Sequence, residues 1–162
     1  MNKLIANLSI IVASFLPLTA AWTSSPLQGE LSGFRVVLDD KRQERLVAAD
    51  TAEPGDIIEY HLEYHNTTGQ AVEGVVVTGP VPANTFYVDG SGAGGVQHRQ
   101  TVSVDGGASF ESEPVKRVVQ KPNGVREEII LPPSDYTHLQ WLLQSPVAGG
   151  ERIVFRYRVQ VR

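Results

Sequence analysis

Four groups of side chains in this sequence have the types and spacing that chemistry uses. His61, Glu63 and His65 alternate along residues 57–66 (IIEYHLEYHN), so an extended chain places all three on one face. Two imidazoles and a carboxylate are a ligand set for zinc or copper. Alternate strand residues stand about 7 Å apart, however, so His61 and His65 are about twice that distance from each other. Even with His98 or His138 supplied from elsewhere they do not converge on one ion, and the set reads as solvent-facing polar residues. Ser134, Asp135 and His138 supply the residue types of a hydrolytic triad. They are close neighbours in sequence, whereas triad members meet from separate segments, and no G-x-S-x-G elbow offers an oxyanion hole. Residues 90–95 (GSGAGG) satisfy the letters of a phosphate-cradling G-x-G-x-x-G, but residues 96–102 read as strand where that use needs a helix N-terminus. No catalytic, cofactor-binding or metal-ligating residue is assigned, and no cofactor is expected.

The fourth group is a stripe of arginines, Arg152, Arg156, Arg158 and Arg162, on one side of the final extended run. Such a stripe reads in two ways. It is a solvated strand face paired with Glu59, Glu63, Glu127 or Glu128 on neighbouring strands, each pair contributing about 0.2 to 1 kcal/mol. Alternatively, it is a docking face for an acidic protein or an anionic glycan. These four arginines are the candidate interaction face.

The elements that must carry these residues are strands. Val is the commonest residue at 21, ahead of Leu and Ala, and this excess of β-branched side chains favours sheet. In residues 57–66, Ile58, Tyr60, Leu62 and Tyr64 fall on one face and Glu59, His61, Glu63 and His65 on the other, which predicts one core face and one wet face. Residues 151–162 alternate as cleanly, with Ile153, Phe155, Tyr157, Val159 and Val161 opposite the arginines. Further extended runs cover 34–39, 44–49, 72–78, 86–88, 99–104, 110–113, 115–120, 125–131 and 136–143, separated by turn residues such as Glu53-Pro54-Gly55-Asp56 and Lys121-Pro122-Asn123-Gly124. Residues 90–95 read as a flexible loop. Ser103 to Phe110, around the Asp105-Gly106-Gly107 turn, resembles the Asp-box hairpin of sialidases and related β-propellers, in which the Asp carboxylate accepts backbone N–H groups across the turn. A single copy makes no propeller. Clean one-sided strands with short turns and no amphipathic helix predict an all-β antiparallel sandwich of about seven to nine strands, with Tyr60, Leu62, Trp141, Phe155 and Tyr157 in its core.

Residues 1–21 read as a signal peptide: Lys3 gives a positive start, Leu4 to Leu18 is almost wholly apolar, and Thr19-Ala20-Ala21 offers small residues for cleavage before Trp22. The apolar run is short of the roughly 20 residues that span a bilayer, so no membrane span is expected after cleavage. Residues 22–33 read as a flexible leader and residues 34–162 as the folded domain. Removing the signal leaves 13 basic against 18 acidic side chains, a net charge near −5, which argues against nucleic acid as a partner. The chain has no Cys, so its expected periplasmic or extracellular location contributes no disulfide.

Residues 53–60 (EPGDIIEY), 64–69 (YHNTTG) and 75–83 (VVVTGPVPA) follow one another in the order and spacing of a known pattern. With Trp141, the Gly149-Gly150-Glu151 turn and the alternating last strand, they resemble the bacterial conserved-repeat module known as domain of unknown function 11. The resemblance covers residues 34–162. It implies an immunoglobulin-like sandwich in exported or surface proteins, usually in tandem and without an established enzymatic activity. This chain departs from the pattern in having Gly79 where the family usually has Asp before Pro, in being a single copy, and in carrying a long insert between Gly90 and Pro133. The expected function is a non-catalytic cell-envelope module that contacts another exported protein or gives structural support. The alternative is a small-ligand or glycan-binding accessory domain that presents Tyr87 or Tyr136 in exposed loops.

Overall fold

The computed structural model describes residues 25–162; the expected signal peptide and the first three residues of the expected leader lie outside them. Eleven strands are present among the described residues: β1 (Leu27–Leu38), β2 (Glu44–Ala48), β3 (Ile57–Asn66), β4 (Val76–Pro80), β5 (Thr85–Tyr87), β6 (Ala93–Gly94), β7 (His98–Ser103), β8 (Lys116–Gln120), β9 (Arg126–Ile130), β10 (His138–Leu143) and β11 (Arg152–Val161), with one 3-10 turn at Pro133–Asp135. The count exceeds the seven to nine expected because short pairings such as β6 lack a sequence period. The architecture is an all-β antiparallel sandwich. A six-stranded sheet runs β2-β1-β3-β11-β5, with β6 also on β11, and packs against a three-stranded sheet, β4-β10-β7. The β8–β9 hairpin forms a separate two-stranded ribbon, joined to the body where buried Val115 accepts a backbone hydrogen bond from Leu131. No helix among the described residues is long and apolar enough to cross a membrane.

The core lies between the two sheets. Ile58, Leu62, Ile153, Phe155, Tyr157 and Val159 from the large sheet meet Val77, Val102, Leu139 and Trp141 from the small one. Trp141 is the largest fully buried side chain. Its ring centroid lies 5.2 Å from that of Phe155 and 5.9 Å from that of Tyr157, and its Nε1 donates to Gln100 Oε1 at 3.0 Å. Four of the five expected core residues are buried, and Tyr60 is half-buried against the same cluster. At the end of β3, buried Asn66 holds two loops together: its Nδ2 lies 2.8 to 3.0 Å from the carbonyls of Gln70, Val147 and Ala148, and its Oδ1 accepts from Thr68.

Three expectations are corrected here. The leader expected at 22–33 is strand from Leu27 onward, and β1 pairs with β3 from Leu27↔Asn66 to Arg35↔Ile58. Its glycines accommodate aromatic rings: a Cβ on Gly29 would stand 2.7 Å from the Tyr64 ring and one on Gly33 3.2 Å from that of Tyr60. The two glycines that helped the segment look like a linker therefore lie where the rings pack. Likewise, the loop at 90–95 is pinned. Ala93 and Gly94 pair with Arg156 and Phe155, and a Cβ on Gly94 would meet the Phe155 ring at 2.5 Å. The run expected at 110–113 is reduced to one bridge, Val102↔Glu111.

Candidate functional site

Residues opposite each other in an antiparallel ladder share a face. The register Arg152↔His65, Val154↔Glu63, Arg156↔His61, Arg158↔Glu59 therefore places the arginines beside the acidic and histidine side chains of β3, on the outer face of the large sheet. Glu44 of β2 is three strands from β11 in sheet order, roughly 14 Å on a flat sheet. Even so, Arg158 reaches both carboxylates: Nε donates to Glu59 Oε2 at 2.7 Å, and Nη1 and Nη2 donate to the two Glu44 oxygens at 3.1 and 2.7 Å. The sheet must curl for this to happen. β1 leaves β3 after Arg35 and continues paired with β2 alone, which lets the β1–β2 end bend over the outer face.

The resulting trough has a volume of about 620 Å³, with Glu44 and Leu46 on one wall, Val88 to Ser91 on the other, and Glu59, Arg156 and Arg158 between them. A smaller hollow of about 260 Å³ adjoins it, lined by Ala93, Gly94, Gly95, Val154 and Arg156. Arg156 belongs to both.

The four predicted arginines have separate fates. Arg152 pairs with Glu63 at 2.5 Å. Arg158 is locked between Glu44 and Glu59. Arg162 donates to the Ser134 carbonyl. Arg156 is exposed, and no carboxylate pairs with it among the described residues. Glu127 and Glu128, offered as partners for the stripe, instead pair with Lys121 and Lys116 within the β8–β9 ribbon, and Glu44 takes a place that the sequence did not indicate.

Glu59 is corrected from wet to buried, at 6% exposure. Burial raises its pKa, but hydrogen bonds from His61 (2.8 Å) and Arg158 outweigh that and hold the carboxyl below its ordinary value. The hydrogen bond from Arg158 lowers Glu44 in the same way, and its two carboxylate partners raise Arg158. Phe34 covers the pair from β1, its ring 5.0 Å from that of His61.

The other constellations resolve into local structure. His61 is committed to Glu59, and no group of three metal-ligating side chains converges among the described residues. His138 Nδ1 lies 3.3 Å from Thr137 Oγ1 and has no hydrogen bond to Ser134 or Asp135. Asp105 accepts from Ser103 Oγ, Ser109 N and Ser109 Oγ at 2.6 to 2.9 Å, and these bonds, led by that from the Ser109 hydroxyl, hold its carboxyl far below the usual range. The Asp105 turn is thus a structural brace, tied to the start of β10 by the hydrogen bond from Gly106 N to Thr137 Oγ1 at 3.0 Å. Tyr87 and Tyr136, expected in exposed loops, are 2% and 4% exposed and stack at 6.1 Å, because β5 packs on the 3-10 turn. Comparison with protein-family models, with curated proteins and with solved structures returns no match.

Proposed function

We propose that this chain is a non-catalytic, exported cell-envelope module that acts by contact with another exported protein. The observation that carries this reading is the outer trough, where the Arg156 guanidinium, unpaired among the described residues, lies between exposed Leu46 and Val154. Arginine beside aliphatic surface is a composition that protein contacts favour. Export is supported by Lys3, the apolar run and Thr19-Ala20-Ala21. The immunoglobulin-like assignment and kinship with the conserved-repeat modules are supported by the order of the Pro54-Gly55-Asp56 turn, the Asn66 turn and the valine-rich strand. Gly79, where that family has Asp, has a local reason: a Cβ there would stand 2.8 Å from the Tyr157 ring and 3.2 Å from that of Trp141.

A pull-down from envelope extract tests the reading. A discrete protein partner is expected, while retention on polysaccharide with no protein captured refutes it. N-terminal sequencing of the exported chain should begin at Trp22, and an intact Met1 in a soluble cytoplasmic fraction refutes export.

A further inference from the structure

We infer that the trough binds an extended segment of a partner protein by seating one acidic side chain of that segment on Arg156, with aliphatic side chains of the same segment on Leu46 and Val154. This rests on the protein-contact reading above and specifies its chemistry. The basis is the distribution of charge on the outer face. Arg158 spends its Nε and both Nη groups on Glu44 and Glu59, Arg152 is taken by Glu63, and Arg162 serves a backbone carbonyl. Arg156 keeps its full fork of donors for a carboxylate from outside, a geometry that guanidinium recognises in a bidentate manner.

Its surroundings set the shape of what it can receive. On the β6 side, Ala93 lies opposite Arg156 and shares its face, and neither it nor Gly95 raises a bulky side chain beside the guanidinium. Leu46, 41% exposed, lines the large hollow, and Val154, 38% exposed, lines the small one. A carboxylate flanked by aliphatic side chains matches a cation flanked by aliphatic side chains.

A polyanionic glycan fits this surface less well. Asp89 stands exposed on the trough wall without an ion pair among the described residues, and residues 22–162 carry a net charge near −5, so repeated negative charges are repelled more strongly than a single one. Sugar rings also favour aromatic platforms, and Tyr87 and Tyr136 are buried.

The test pans a display library of random short peptides against the purified full chain and against R156E. Enriched peptides should carry Asp or Glu next to Val, Leu or Ile on the native chain, and Lys or Arg on R156E. By titration calorimetry the best peptide should bind R156A about tenfold more weakly, and its own Glu→Gln version should lose as much on the native chain. Unchanged melting temperatures in the variants establish that they are folded. Enriched peptides without acidic residues, equal binding to R156E, or no enrichment at all overturns the proposal. So does Arg156-dependent retention on immobilised polyuronate without peptide enrichment. If the pull-down captures a discrete protein whose binding ignores R156E, this inference fails and the protein-contact reading stands. If it captures no protein and polysaccharide retains the chain, the reading itself fails.

Discussion

The two faces of β3 and β11 are built from the same two strands and obey different rules. On the inner face, Leu62, Phe155, Tyr157 and Val159 are buried against Trp141 and Leu139, and the polar groups that go in with them are partnered: Trp141 Nε1 by Gln100 and the Tyr157 hydroxyl by the Pro80 carbonyl. On the outer face, charge is distributed unevenly. One arginine neutralises two carboxylates while another, two residues away, has none among the described residues. A polar group without a partner is costly where it is buried, and among the described residues Arg35 Nε on β1 is the buried side-chain atom left without one, whereas water around the outer face permits an unpaired guanidinium. An unpaired group on the outer face therefore carries information only together with the shape and chemistry of the surface around it.

The largest expected effect tests the inner face. Replacing Trp141 by Ala removes a fully buried indole between Phe155 and Tyr157 and should cost about 3 to 5 kcal/mol in denaturant unfolding. A loss within about 0.5 kcal/mol, typical of a surface substitution, would mean that the sheets do not pack around this residue.

Next comes the one place where the outer face behaves like the inner one. Arg158→Ala leaves Glu59 buried with His61 alone and should cost about 2 to 3 kcal/mol at neutral pH. The sign with pH follows from the lowered pKa values of Glu44 and Glu59. A carboxyl whose folded pKa lies below its unfolded value of 4.5 contributes stability that is fully present above that value and is lost as pH falls through the folded pKa. The native chain should therefore lose stability as pH drops below 4.5, and the Arg158→Ala chain should show a shallower acid limb. Parallel acid limbs in the two proteins would separate Arg158 from this effect.

Smaller again is Gly79→Ala, which should cost about 1 to 3 kcal/mol by overpacking against Tyr157 and Trp141. A neutral result would show that the ring contact is not what keeps a side chain out of this position.

These residues also mark how far the sequence could be read. The period-two pattern located β3 at its observed limits, Ile57–Asn66, and β11 to within a residue at each end, because alternation is a local property that burial enforces. It placed Glu59 in water for the same reason, since alternation assigns a face and says nothing of what later covers it. The cover comes from β2 and Phe34, brought over by a curl of the whole sheet that no window of residues encodes. Gly29, Gly33 and Gly94 misled in the opposite direction: glycine reads as freedom in a sequence, and here it marks where Tyr64, Tyr60 and Phe155 lie against the backbone. Short extended runs at 86–88 and 136–143 do not say which face of Tyr87 or Tyr136 is covered, because their mutual stacking depends on a contact between β5 and the 3-10 turn that is distant in sequence.

The smallest expected effect discriminates best between the two arginines that the sequence could not tell apart. Arg156 and Arg158 share a strand, a face and a residue type, so reading from sequence assigns both reversals to Glu the same negligible consequence. The structure separates them. Arg156→Glu changes an exposed side chain without an ion pair and should leave the melting free energy within about 0.5 kcal/mol of the native value. Arg158→Glu puts a third carboxylate between Glu44 and Glu59, where like charges repel and one of them is buried, so its melting temperature should fall clearly below that of Arg156→Glu. Thermal unfolding of the two single variants at neutral pH makes the measurement. Equal melting temperatures would mean that Arg158 does not close over Glu59 in solution. The curl of β2 over the outer face, and with it the trough that isolates Arg156, would then have to be given up.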